Sequence, residues 1–94
     1  MSENMFERHP LLTVAARLLM ALKAHGPQSQ IELTKSAKVA ASAARYNLEL
    51  LREMGLVKEE RAGTFPFKIL YSLTEKGEKV AELLEQLKRL LESP

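Results

Sequence analysis

Ser42, Arg45, Tyr46 and Glu49 recur at spacings of three, one and three. On a helix turning 100° per residue they share one face, within an arc of about 100°. Ala44, Leu48 and Leu51 fall together on the opposite side, and Asn47 lies at the boundary. A guanidinium can fork onto a guanine edge, and a serine hydroxyl can serve a base or a phosphate. A tyrosine can offer its hydroxyl to phosphate or its ring to a thymine methyl. The band therefore carries the groups with which proteins meet nucleic acid. A solvated helix surface carries the same groups, so charge alone leaves both readings open.

Other chemistry is poorly supplied. The chain has no cysteine and no aspartate, so disulfides, thiolate metal sites and cysteine nucleophiles are ruled out. Its two histidines, His9 and His25, have no Asp or Cys to complete a metal set. Glycine-rich phosphate loops, paired carboxylates and Ser-His-Asp sets are missing. The expectation is no enzyme, no metal and no cofactor. Net charge is +2, from 14 Lys and Arg against 12 Glu. It divides as +1 in each of residues 1–25, 26–55 and 56–73, and −1 over 74–94. That balance permits nucleic-acid binding without the strong basic stripe that announces it. With Glu, Lys and Arg supplying every side-chain charge, the composition is of the kind heat-adapted proteins carry.

Ninety-four residues, 46% apolar and 28% charged, suit one small globular domain. The longest near-apolar run, Leu11 to Leu22, is too short to span a bilayer and carries Arg17. No export signal opens the chain, so a cytoplasmic location is expected. Residues 1–9 read as a flexible arm. Pro10 suits the first turn of a helix over 10–25 that is apolar nearly all round and must be buried on more than one face. His25-Gly26-Pro27 ends it.

A helix-turn-helix reads over 29–55. Ser29 and Glu32 have capping-box spacing for a second helix, whose apolar positions are Ile31, Leu33 and Ala37. A third helix over about 42–54 stops at Gly55. The period then changes to that of strands, Leu56–Arg61 and Phe67–Leu73, in a hairpin over 56–73. Phe65 and Phe67 read as core or interface residues. Thr74 caps a last helix over 74–92 carrying Val80, Leu83, Leu84, Leu87, Leu90 and Leu91 as a wide apolar stripe.

The stretch from Gln30 to Gly77 resembles the winged helix-turn-helix domain of small prokaryotic regulators of the MarR, ArsR and PadR kind. The resemblance rests on Ile31-Glu32-Leu33, on Leu48 and Leu51 leading into Glu53-Met54-Gly55-Leu56-Val57, and on Tyr71-Ser72-Leu73-Thr74-Glu75-Lys76-Gly77 at the hairpin exit. It implies a mainly α fold with a β-hairpin wing (α+β) and terminal dimerisation helices. It implies a third helix lying in the major groove with Ser42, Arg45, Tyr46 and Glu49 reading bases, and Lys35, Lys38, Lys58, Arg61 and Lys68 meeting phosphates. Two departures stand out. The turn before the third helix is alanine-rich, and the wing tip is apolar rather than basic.

The small core, expected to hold Leu33, Leu48, Leu51, Leu56, Ile69 and Leu73, has little claim on Leu84, Leu87 and Leu91, which lie far from the hairpin in sequence. The stripe over Val80–Leu91 is therefore expected at a two-fold subunit interface. A homodimeric, sequence-specific transcriptional regulator binding double-stranded DNA follows. A protein-docking winged helix in a transcription or replication assembly, and a non-specific architectural DNA-binding protein, stay open as alternatives. No polar cluster points to a small-molecule effector.

Overall fold

The computed structural model describes residues 12–94, so the arm over 1–9 and the conformation at Pro10 lie outside the described residues. The order is α1 (Val14–His25), α2 (Gln30–Ala37), α3 (Ala41–Glu53), β1 (Val57–Ala62), β2 (Lys68–Leu73) and α4 (Glu75–Glu92). Among the described residues, four helices and one antiparallel hairpin make the winged α+β fold that the resemblance implies.

The first helix starts later than expected. Thr13 is extended and its hydroxyl accepts from Ala16 N at 3.4 Å, so Val14 begins the helix. A side-chain cap that satisfies an orphan N–H defines the start here. From there α1 behaves as its all-round apolar pattern demands. Ala16, Leu18, Leu19, Met20, Ala21 and Leu22 are all buried, and the helix packs on α2, α3, α4 and β2. It is the axis of the molecule.

The main core joins Leu18, Leu19 and Leu22 to Leu33, Leu48, Leu51, Leu56 and Val57, with Leu73 partly buried against them. Ile69 is a correction. It is 39% exposed, because it sits toward the outer end of the hairpin, opposite Arg61. Ile31, on the solvent side of α2, is likewise exposed.

A second correction concerns α4. A satellite cluster of Leu12, Ala16 and Met20 on the α1 side receives Leu84, Leu87 and Leu91 within the same chain, and Val80 packs with Leu84 on the main core. The core does claim these side chains, because α4 folds back along α1. Leu83 and Leu90 lie at one edge of the stripe and stay 63% and 74% exposed. The wide stripe is thus divided between an inner half that packs on α1 and an outer half that meets solvent.

The hairpin pairs from Val57 opposite Leu73 to Ala62 opposite Lys68. Its root is fixed twice. Gln28, in the loop after α1, forms a β-bridge with Tyr71 through N···O contacts of 3.0 and 2.7 Å. Thr74 donates its backbone N–H to Leu56 O at 3.1 Å and its hydroxyl to Gly55 O at 2.6 Å, while the same hydroxyl accepts from Gly77 N at 3.0 Å. One threonine therefore caps α4 and ties it to the end of α3. This close approach explains the glycine in the Leu-Thr-Glu-Lys-Gly string, since a Cβ at Gly77 would stand 2.0 Å from Leu56 O. Gly77→Ala is expected to destabilise by about 3 kcal/mol, the upper end of overpacking costs. Urea denaturation measures it, and an unchanged midpoint would show that α4 can back away freely.

Candidate nucleic-acid interface

The surface begins with how α2 and α3 are held. Ser29 Oγ accepts from Glu32 N at 3.2 Å, and Glu32 Oε1 accepts from Ser29 N at 2.8 Å, completing the capping box. The backbone N–H of Ser29 holds the Glu32 carboxyl below its ordinary range, and Lys68 adds to the effect. At the other end of α2 the chain turns through Lys38, which adopts the left-handed conformation at φ 57°. Arg17 of α1 reaches this turn, donating Nε to Ala37 O at 3.3 Å and Nη2 to Lys38 O at 3.1 Å. A cation thereby meets the carbonyl end of α2, where the helix dipole favours it.

Ala40 precedes α3 and supplies no side-chain cap. The alanine-rich turn noted in the sequence thus leaves first-turn N–H groups of α3 open to an external acceptor such as a phosphate. Ser42, Arg45, Tyr46 and Glu49 are all exposed. With Gln30 and Ala41 they line one open groove of about 630 Å³. The four expected base readers are therefore brought together on a single surface, opposite the buried Ala44, Leu48 and Leu51.

The acidic member of this set is controlled by its neighbours. Arg52 forms a hydrogen-bonded ion pair with Glu49 and lies 3.9 Å from Glu59 of β1. Glu49 in turn holds Arg52 more firmly protonated. Tyr71 of β2 faces the same cluster. Burial first, then the Glu59 and Glu49 carboxylates, push its hydroxyl above the ordinary value, while Arg52 and Arg45 act in the other direction. The inner face of the wing and the flank of α3 are thus one electrostatic neighbourhood.

The expected phosphate contacts Lys35, Lys38, Lys58, Arg61 and Lys68 are exposed. They do not form one patch. Lys68 Nζ is 3.5 Å from the Glu32 carboxylate, and the Arg61 guanidinium lies over the Phe67 ring. Phe65 and Phe67, expected in a core or interface, stand exposed within the chain at 84% and 47%.

Three contributors escaped the sequence reading. Gln30 enters the groove and donates to Ala41 O at 3.5 Å, and Arg17 secures the turn from a distant helix. Both depend on how helices cross, which no local pattern encodes. The spacing of Glu49 and Arg52, by contrast, was a readable i,i+3 ion pair. A smaller cleft of about 210 Å³ between α1, α2 and α4 gathers Arg17, Ser36, Glu85 and Lys88 from three helices. Among the described residues no acidic, histidine or cysteine group could hold a metal, and no helix is long and apolar enough to cross a membrane.

The HxlR-like helix-turn-helix family matches residues 13–93 of the chain. Solved structures of similar shape include a ZitR mutant from Lactococcus lactis, 27% identical with a TM-score of 0.74, covering 84% of this chain and 54% of that one. Bordetella bronchiseptica BpsR, whose DNA binding is regulated by 6-hydroxynicotinic acid, is 20% identical with a TM-score of 0.72, covering 84% and 62%. A MarR family regulator from Neisseria meningitidis is 20% identical with a TM-score of 0.69, covering 83% and 55%. The chain spans little more than half the length of these solved relatives. No curated protein matches it in sequence.

The capping box makes a pH prediction. Because the folded state depresses the Glu32 pKa, its contribution is present above the unfolded carboxylate value and is lost as pH falls through the folded one. Thermal stability of the wild type should therefore drop on acidification through the carboxylate range, and Glu32→Gln should reduce that drop. Melting curves from pH 7 to about pH 3 decide it, and parallel profiles for the two proteins would refute it.

Proposed function

The chain belongs to the HxlR-like helix-turn-helix family, and we propose that it is a cytoplasmic transcriptional regulator that binds duplex DNA sequence-specifically as a homodimer. The observation that carries this reading is the exposed band of Ser42, Arg45, Tyr46 and Glu49 on α3. It has the length of a recognition helix, an uncapped N-terminus, and a wing beside it. With α3 in the major groove, Arg45 forks onto guanine while Ser42 and Tyr46 serve base edges or phosphate. Glu49, oriented by Arg52, accepts from a cytosine amine. Lys35, Lys38, Lys58, Arg61 and Lys68 position the domain through phosphates. Occupying a promoter site is then the mode of action.

The outer half of the α4 stripe supports the homodimer. Leu83 and Leu90 are exposed aliphatics seven residues, about two turns, apart, along the edge of the stripe whose inner-facing members include Leu87 and Leu91. Burying each leucine side chain contributes about 1.5–3 kcal/mol, and two-fold pairing of α4 buries both sets at once. Val80, Leu84, Leu87 and Leu91 then serve the seam from beneath, by holding α4 on α1. Two α3 helices related by the two-fold address half-sites about one helical turn apart, so the target is palindromic.

Selection of bound sequences from a random duplex pool, followed by titration with salt, tests the function directly. A palindromic consensus whose affinity falls steeply with salt is the expected result, and no enrichment would reject it. On the selected site Arg45→Ala should cost about 1–3 kcal/mol and relax preference at one base position. An unchanged ratio of specific to random binding would remove Arg45 from the readers. Leu90→Glu should leave the helical content intact, because the side chain is exposed within the chain. It should shift the protein to monomer in sedimentation at micromolar concentration and reduce operator affinity more than tenfold. A mutant that sediments as the wild type would place the subunit contact elsewhere.

A further inference from the structure

The tip of the hairpin carries an aromatic group that nothing among the described residues covers. Phe65 is 84% exposed, although an apolar ring held in water contributes nothing to the core. Its setting is organised. Phe65 and Phe67 meet edge to face, with centroids 6.2 Å apart and planes at 86°. The Arg61 guanidinium lies 5.2 Å from the centroid of the Phe67 ring, close enough for cation–π attraction. Arg61 thus props Phe67, and Phe67 props Phe65 outward.

The direction in which this group extends is also given. Arg61 pairs with Ile69 and Glu59 with Tyr71, so by strand alternation Arg61, Ile69, Glu59 and Tyr71 share one face of the hairpin. That face meets α3 at its root, through Arg52 and Glu59. The strands that carry the aromatic tip therefore run out from the flank of α3 where Arg52 joins Glu49 to Glu59. Charge favours a polyanion as the occupant. The Arg61 guanidinium stands over the Phe67 ring. Glu59, the acidic residue of the same face, is occupied by Arg52.

We propose that Phe65 is a wedge for the minor groove of duplex DNA, inserting its ring between two base pairs and bending the duplex. The proposal rests on the reading of the protein as a DNA-binding regulator. With α3 in the major groove, the wing reaches the adjacent minor groove, where apolar side chains unstack a base step and kink the helix toward the major groove. Arg61 neutralises phosphates flanking the groove that the ring enters, and Phe67 stops the wedge from folding back. Pyrimidine–purine steps unstack most easily. Phe65 therefore selects a flexible step at a position that no hydrogen bond reads.

The test uses duplexes recovered by selection with the full wild-type chain. They carry a fluorophore pair at their ends to report bending, and 2-aminopurine at successive steps to report unstacking. Wild type should brighten 2-aminopurine at one step per half-site and bend the duplex by about 20–90°. Phe65→Ala should abolish both signals and weaken binding about tenfold, the equivalent of one stacked base. Its salt slope should match wild type, because no phosphate contact is lost. Phe65→Leu, which keeps an apolar wedge, should retain part of the bend. Circular dichroism confirms that both variants fold. If Phe65→Ala binds and bends as wild type does, or if no step brightens under wild type, the wedge is overturned and the tip is left to a protein partner. If the wild type binds no duplex even at about 50 mM salt, where phosphate-driven affinity is strong, the DNA-binding reading itself falls and the wedge with it.

Discussion

The arrangement of the whole molecule turns on Gln28, the only buried polar residue among those described. Its backbone pairs with Tyr71 in both directions. Its side-chain amide donates to Ala21 O at 3.2 Å and Gly26 O at 3.3 Å, and its carbonyl accepts from Ser36 Oγ at 2.7 Å. Four elements therefore meet on one residue: the end of α1, the loop, α2 and β2. Burying an amide is unfavourable unless its donors and acceptor are satisfied. Here both N–H groups and the carbonyl have partners, so only one arrangement of helix, helix-turn-helix and wing meets the requirement. Neutral packing of leucines tolerates sliding, whereas this network does not.

Around that fixed point the apolar side chains divide the work. α1 supplies an axis buried on several faces, and α3 lays Ala44, Leu48 and Leu51 against it so that the opposite face is delivered outward. Polar contacts then set angles: Arg17 secures the turn after α2, Lys23 and Glu78 link α1 to α4 at 3.5 Å, and Thr74 fastens the start of α4 to the end of α3. The groove on α3 is consequently rigid at its base and polar at its rim, a suitable combination for presenting hydrogen-bonding groups without reorganising them.

Much of this was legible in the chain because its signals are local. Ser29 with Glu32, Thr74, Gly26 and Gly55 mark helix ends within a few residues, and the periodicity of α3 separates its two faces unaided. The hairpin and its exit string are similarly plain. What could not be read depends on contacts between distant segments. Thr13 sets the start of α1 by accepting a hydrogen bond from Ala16 N. The stripe on α4 splits into an inner half and an outer half only once α1 lies beside it. Ile69 looks like a core residue until the hairpin's length carries it past the helices. Gln28 sits in a Gly-Pro-Gln-Ser loop, where a polar residue reads as solvent-facing, and Gln30 reaches its groove only because α2 crosses α3.

The hairpin is hydrogen-bonded to the helices at its root, and at its outer rung only the Lys68–Glu32 ion pair, at 3.5 Å, reaches back to α2 among the described residues. Gln28–Tyr71 and the two bonds from Thr74 hold its root, while from Gly63 to Phe67 no hydrogen bond to the helices is made among the described residues. Changes of length or composition within residues 63–67 therefore leave the core and the presentation of α3 undisturbed. In evolutionary terms the wing tip is a cassette that can be rewritten at little cost to foldability. Target preference can thereby diverge faster than the scaffold that delivers it.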